Sequence, residues 1–99
     1  MDYFPEVVQA IPYDDYSVDV YFHDGKIVRY DVAPLISEGK KTQNLFAKLD
    51  DLDFFKNTCT VMNGTLAWDI AGNRDETRCL DIDPLTLYEL PMTKERIVV

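Results

Sequence analysis

The chain has 99 residues, 46% hydrophobic and 12% aromatic, which is enough apolar surface for one folded core and too little length for two. Its 18 acidic residues outnumber 10 basic ones, for a net charge of −8, and no stretch gathers Lys and Arg into a stripe that would displace counterions from a phosphate backbone. Direct DNA or RNA binding is therefore not expected. Nor is a membrane span, because no apolar run approaches the roughly 20 residues a bilayer crossing needs.

Asp2 and Glu6 stand where a signal peptide would be basic, so a cytosolic protein is expected. The domain is read as residues 1–99, compact over about 5–90, with 91–99 as a tail that either hangs free or adds Ile97-Val98-Val99 to a sheet edge. Cys59 and Cys79 are too few for a disulfide framework and lack zinc-ligand spacing, so they read as small buried hydrophobes. Neither a cofactor nor a metal is expected.

Taken in order, the segment from Pro5 to Tyr13 is β-compatible, and its prolines place it at a sheet edge. Tyr16 to Phe22 and Lys26 to Val32 form a hairpin around His23-Asp24-Gly25. A two-residue turn would set Val18 and Val20 opposite Asp31 and Arg29, mixing charge into an apolar face. A three-residue loop with Gly25 in the left-handed conformation instead sets Val20 opposite Val28, Val18 opposite Tyr30 and Tyr16 opposite Val32. The other face then collects Asp19, Tyr21, Ile27, Arg29 and Asp31, a half-polar surface that is either wet or used by a partner.

After Ala33-Pro34, a turn or short helical piece is expected to close at Gly39. Thr42 can cap one amphipathic helix carrying Leu45, Phe46, Leu49 and Leu52, broken near Asp50 and extended by Phe54 and Phe55 into the core. Asn63-Gly64 marks a second hairpin, with a two-residue loop that pairs Val61 with Leu66, Cys59 with Trp68, Thr60 with Ala67 and Thr58 with Asp69. Ala71 to Asp75 reads as a turn, and Thr77 to Ile82 as a strand with Leu80 and Ile82 inward. Asp83 can cap a last short helix beginning at Pro84 and docking Leu87 and Tyr88. The expected fold class is α+β: antiparallel β-hairpins, one amphipathic helix packed on the sheet, and a short C-terminal helix.

The order Pro5-Glu6-Val7-Val8, Asp24-Gly25, Phe54-Phe55, Gly64-Thr65-Leu66-Ala67-Trp68, Gly72, Asp83-Pro84 and Leu87-Tyr88-Glu89 resembles the domain of unknown function 2442 family over most of the chain. The resemblance implies a small bacterial α+β domain, of a kind sometimes fused to a helix-turn-helix and sometimes encoded beside another small protein in toxin-antitoxin-like pairs. It carries over no catalytic residues. The stretch between Trp68 and Asp83 is longer and more polar than the family pattern, and Leu85 stands where an acidic residue is usual. No helix-turn-helix comes after Glu89, so the DNA-reading role of fused members does not carry over.

Catalytic grammar is not evident. His23 sits in a hairpin loop with no serine or cysteine at an activating spacing, and Ser37 lies in a plain context without a nucleophile elbow. Asp81 and Asp83, with Asp75 and Glu76, could in principle gather a divalent cation, but the spacing does not match an EF-hand and capping already explains Asp83. Trp68 reads either as core or as an interface anchor. The turn Asn73-Arg74-Asp75, with Asp69 at its start, is the best candidate for recognition, because loops held on a rigid sheet commonly carry binding residues. Asp50, Asp51 and Asp53 form an acidic run that reads most simply as a solvated helix end, and as a partner site only if Arg or Lys meets it.

Three functions fit these residues. The first is a non-enzymatic, antitoxin-like or adaptor module whose acidic surface holds a basic protein partner. The second is an acidic inhibitor that mimics nucleic acid in an enzyme's channel, as phage counter-defence proteins do, with Asp14, Asp15, Asp50, Asp51 and Asp53 in place of phosphates. The third is a metal-dependent hydrolase built on Asp75, Asp81 and Asp83. A homodimer formed by pairing the Pro5 to Tyr13 edge, or the tail, with its copy is also expected to be within reach.

Overall fold

The computed structural model describes residues 5–75 and 79–90. Its first sheet is an antiparallel meander of β1 (Val7–Pro12), β2 (Ser17–Phe22) and β3 (Ile27–Asp31), in that spatial order. The β2–β3 register places Val18 opposite Tyr30 and Val20 opposite Val28, and Gly25 at φ 95° supplies the left-handed residue of the three-residue loop. The apolar pairing decides the loop length here, since a slip of one residue would turn every valine to the other face. β1 holds the edge, as its prolines require; a register shift between Val7 and Gln9 leaves Val8 57% exposed.

The second sheet has β4 (Cys59–Met62), β5 (Thr65–Trp68) and β6 (Leu80–Asp81) in sequential order. Asn63 (φ 55°) and Gly64 (φ 72°) both occupy the left-handed region that a two-residue hairpin turn of this twist demands. The resulting register pairs Cys59 with Trp68, Thr60 with Ala67 and Val61 with Leu66. The two sheets join where the Val7 N–H donates to the Gly64 carbonyl at 2.9 Å. Of the strand expected over Thr77 to Ile82, Leu80 and Asp81 form β6, while residues 76–78, like the expected tail 91–99, lie outside the described residues.

The helical region corrects the sequence reading. The short helical piece expected after Ala33-Pro34 is α1 (Ala33–Thr42), and in place of one amphipathic helix started by Thr42 there are two segments, a 3-10 helix (Leu45–Asp50) and α2 (Leu52–Thr58). Thr42 ends α1 instead of capping the 3-10 helix, its hydroxyl donating to the Glu38 carbonyl four residues back. Gly39 does not stop the helix but lies buried inside it, where Asn44 and Ala47 press against its bare Cα. Asn44 caps the 3-10 helix through Phe46 N–H, and Asp51 caps α2 through the N–H groups of Asp53 and Phe54. The break expected near Asp50 is therefore made by the second cap.

All these segments converge on one core. Ile36, Leu49, Phe55 and Leu87 from the helical segments meet Val18, Val20, Phe22, Val28 and Val32 from the first sheet and Leu66, Trp68 and Leu80 from the second. Trp68 is fully buried between Phe55 and Phe46, with ring centroids at 6.1 and 6.3 Å, so of its two readings the core one holds. The C-terminal helix α3 (Pro84–Tyr88) is capped by Asp83 as expected. It is clasped to the first hairpin: Tyr88 Oη donates to Asp24 at 2.6 Å, and Lys26 Nζ donates to the Tyr88 carbonyl while lying 4.3 Å above its ring. Among the described residues no helix is long and apolar enough to cross a membrane.

Candidate functional site

Two segments far apart in sequence meet at one end of the first sheet. The turn between β1 and β2 bends sharply because Tyr16 takes φ 65°, which sends its ring against Phe55 at 5.2 Å and its hydroxyl to the Asp50 carbonyl. Lys56 on α2 closes the same contact by donating to Asp14 at 2.6 Å. Asp14 and Asp15 are thereby set beside Asp50, Asp51 and Asp53, all of them exposed. Lys40 lies 3.5 Å from Asp50, and Lys48 shares a shallow cleft with Asp51 and Phe54, so three lysines are interleaved with five carboxylates.

These acidic groups differ in how firmly they are held. Asp15 accepts from both the N–H and the hydroxyl of Ser17, and those hydrogen bonds hold its carboxyl below the usual aspartate range. Asp51 is committed to the α2 cap. The Lys56 ammonium is pushed above its ordinary value, chiefly by the hydrogen bond to Asp14. Exposed pairs of this kind add little to stability, so their worth lies in the field they shape.

Adjoining this end is the face of the first sheet turned away from the helical segments, and here sequence reasoning saw the parts without the assembly. Asp19 and Arg29 face each other across β2 and β3. Asp19 is only 1% exposed, yet it takes the Arg29 Nε at 2.9 Å, the second guanidinium nitrogen at 3.4 Å and the Tyr13 hydroxyl at 2.9 Å. Arg29 also stacks over the Tyr13 ring, 4.9 Å from its centroid. The hydrogen bond to Asp19 is the main cause that lifts the Tyr13 phenol above its ordinary value. The signal available beforehand was the opposed Asp19 and Arg29; what pattern reasoning lacked was Tyr13 folding over them from beyond the end of β1. At the centre of the surface left open as wet or used, the Asp19 carboxylate is thus buried while Arg29 over it stays exposed.

The turn after β5 is built differently from its reading as a recognition loop. Asp69 accepts from the N–H groups of Gly72 and Arg74 at 3.1 and 2.9 Å, and Asn73 accepts from the Asp75 N–H. Arg74, held at φ 59°, folds its guanidinium back onto β4, donating to the Val61 carbonyl at 3.0 Å and the Thr60 hydroxyl at 3.3 Å. Asn73, Arg74, Asp75 and Asp69 therefore form one internally bonded unit, separate from the acidic end where Asp50, Asp51 and Asp53 lie. Among the described residues no three His, Cys, Asp or Glu side chains gather to hold a metal, so Asp75, Asp81 and Asp83 make no such site there. Burial pushes the Cys59 thiol up to about 12, which removes it as a nucleophile at neutral pH.

The architecture defines a class, a small α+β domain in which two three-stranded antiparallel sheets share one core with short helices and present a polar, charged end. Within that class the chain belongs to the family described as "Protein of unknown function (DUF2442)", which matches residues 7–91. No curated protein and no solved structure matches it.

Proposed function

We propose that this chain is a non-enzymatic protein-binding module, antitoxin-like or adaptor in kind, whose acidic end engages a basic protein partner. The observation that carries the reading is the convergence of Asp14 and Asp15 with Asp50, Asp51 and Asp53, held together by Tyr16 and Lys56. A folded surface that concentrates carboxylates in a chain of net charge −8 accelerates and orients encounters with a cationic partner. The same convergence supports a second reading, a mimic of nucleic acid. Lys40, Lys48 and Lys56 count against that mimic, because they interrupt the run of like charge a phosphate backbone would present.

The test is retention from host lysate on the immobilised protein, with and without excess DNA, compared with a variant carrying Asp14→Asn, Asp15→Asn and Asp53→Asn. A small basic protein is expected to be held by the parent chain in both conditions, and about tenfold less by the variant. Retention of a nucleic-acid enzyme that DNA abolishes moves the assignment to the mimic. If parent and variant retain the same proteins equally, the acidic end is not the binding surface.

A further inference from the structure

The turn that links β4 to β5 carries the one asparagine of the chain that a glycine follows, Asn63 before Gly64. That dipeptide is distinctive chemically as well as conformationally. Glycine has no Cβ to shield its main-chain nitrogen, so this nitrogen can reach the carbonyl carbon of the asparagine side chain ahead of it and close a five-membered ring. Asn63 is exposed and Gly64 half-buried, so solvent reaches the turn.

Backbone conformation decides whether that ring closes. Closure requires the Gly64 nitrogen to lie on the same side of the Asn63 Cα–C bond as the Asn63 Cβ. In the left-handed region that Asn63 occupies at φ 55°, a ψ of about +47° turns that nitrogen to the far side, anti to Cβ. The turn is pinned in this state: Met62 pairs with Thr65, the Val7 N–H donates to the Gly64 carbonyl at 2.9 Å, and the Thr65 hydroxyl donates to the Ile82 carbonyl. The folded hairpin therefore holds nucleophile and target apart although they are neighbours in sequence.

We propose that Asn63 is a self-modification site that the hairpin keeps shut and that becomes reactive when β4 and β5 part. In the parted chain the Gly64 main-chain nitrogen gives up its proton to solvent base and attacks the Asn63 side-chain carbonyl carbon. The bond to the amide nitrogen breaks, ammonia leaves with a proton from solvent, and a succinimide remains. Water then opens the ring at one carbonyl or the other, giving aspartate or isoaspartate with no change of oxidation state. The fold treats the two products differently. Aspartate keeps the backbone and suits this turn before glycine. Isoaspartate routes the main chain through its side-chain carbon and lengthens a two-residue loop by one atom, which the register of Val61 opposite Leu66 and Cys59 opposite Trp68 cannot absorb. Either product adds a negative charge to a chain of net charge −8, beside a cleft that Glu6 already lines. Asn63 thus keeps an irreversible record of the time the hairpin spends open, whatever partner the chain binds.

Peptide mass mapping after long incubation at neutral pH tests this, comparing the folded protein with protein held in urea above its unfolding midpoint. Asn44, Asn57 and Asn73 serve as internal standards. Asn63 is expected to convert ahead of these three in urea, and at least about tenfold more slowly in the folded protein. In urea, where folding plays no part, Gly64→Ala is expected to slow the conversion about tenfold, because its Cβ shields the nitrogen. The isoaspartate form, returned to buffer, is expected to show the emission of a water-exposed Trp68, while Asn63→Asp keeps the parent's. Equal rates in buffer and urea overturn the gating by the hairpin. Conversion in urea no faster than at the other three asparagines, or unchanged in Gly64→Ala, overturns the site itself, and an isoaspartate form with the parent's emission overturns its consequence for the register.

Discussion

Cys59 and Cys79 both read in the sequence as small buried hydrophobes, and both are in fact half-buried, with no disulfide between them. Cys59 faces Trp68 across the β4–β5 pair, and burial drives its thiol up to about 12. Thiolate, not thiol, is the reacting species. Iodoacetamide at about pH 8 should therefore leave Cys59 unlabelled in the folded protein and modify it fully in denaturant, with peptide mass mapping to locate the adduct. Labelling of Cys59 in the native state at the rate of a free thiol would show that β4 opens readily.

At the scale of elements, the tightest junction is between α1 and the 3-10 helix. A Cβ added to Gly39 would stand 2.6 Å from the Asn44 side-chain oxygen and 2.8 Å from the Ala47 main-chain nitrogen. Alanine in a helix interior ordinarily gains about 0.5–1 kcal/mol over glycine, but the clash with backbone reverses the sign here. Gly39→Ala should destabilise by about 1–3 kcal/mol in urea unfolding, and an unchanged midpoint would mean that the two helices separate more easily than they pack.

That junction also shows where pattern reading stops. The hairpin registers were legible because apolar alternation and the positive-φ glycines act locally, although Tyr16 and Thr58 fall outside the strands, and Asp83-Pro84 announced α3 for the same reason. The helical region was not, because Leu45, Phe46, Leu49 and Leu52 fit one helix in spacing while Asn44 and Asp51 each begin a new one. A cap inside an apolar repeat is invisible until the packing that needs the break is known. Likewise Arg74, polar and in a turn, looked available for recognition; its guanidinium is engaged by β4, a contact no local pattern encodes. The meeting of Asp14 with Asp50 depends on tertiary packing in the same way, although the carboxylates themselves were picked out beforehand.

For the whole molecule, the groups that tie distant segments set how stability responds to alkali. The Tyr13 phenol, bonded to Asp19, the Tyr30 phenol, raised by burial, and the Lys56 ammonium, bonded to Asp14, all hold their protons more tightly folded than unfolded. A raised folded pKa contributes stability that is fully present below the unfolded value and is lost as pH rises through the folded one. The melting temperature should stay level up to about pH 8 and fall above about pH 9, where the buried Cys59 thiol adds to the loss, with a shallower fall in Tyr13→Phe and in Lys56→Gln. Asp15 works in the opposite sense, its lowered carboxyl contributing above the usual aspartate range and losing that contribution as pH falls. An alkaline slope that both variants leave untouched would remove these bonds from the account of stability.

The clasp between α3 and the first hairpin also bears on how the chain is made. Lys26 and Asp24 wait for Tyr88, 62 and 64 residues later, and Leu87 beside it is a fully buried member of the core. While a ribosome is still adding the second sheet, the first meander has emerged with its valine face not yet covered by Leu66, Trp68, Leu80 or Leu87. Contacts of this span are formed late. Synthesis itself thus holds the protein open until α3 leaves the exit tunnel, and a pause in translation before Pro84 would prolong the interval in which that face is exposed to aggregation or to chaperones.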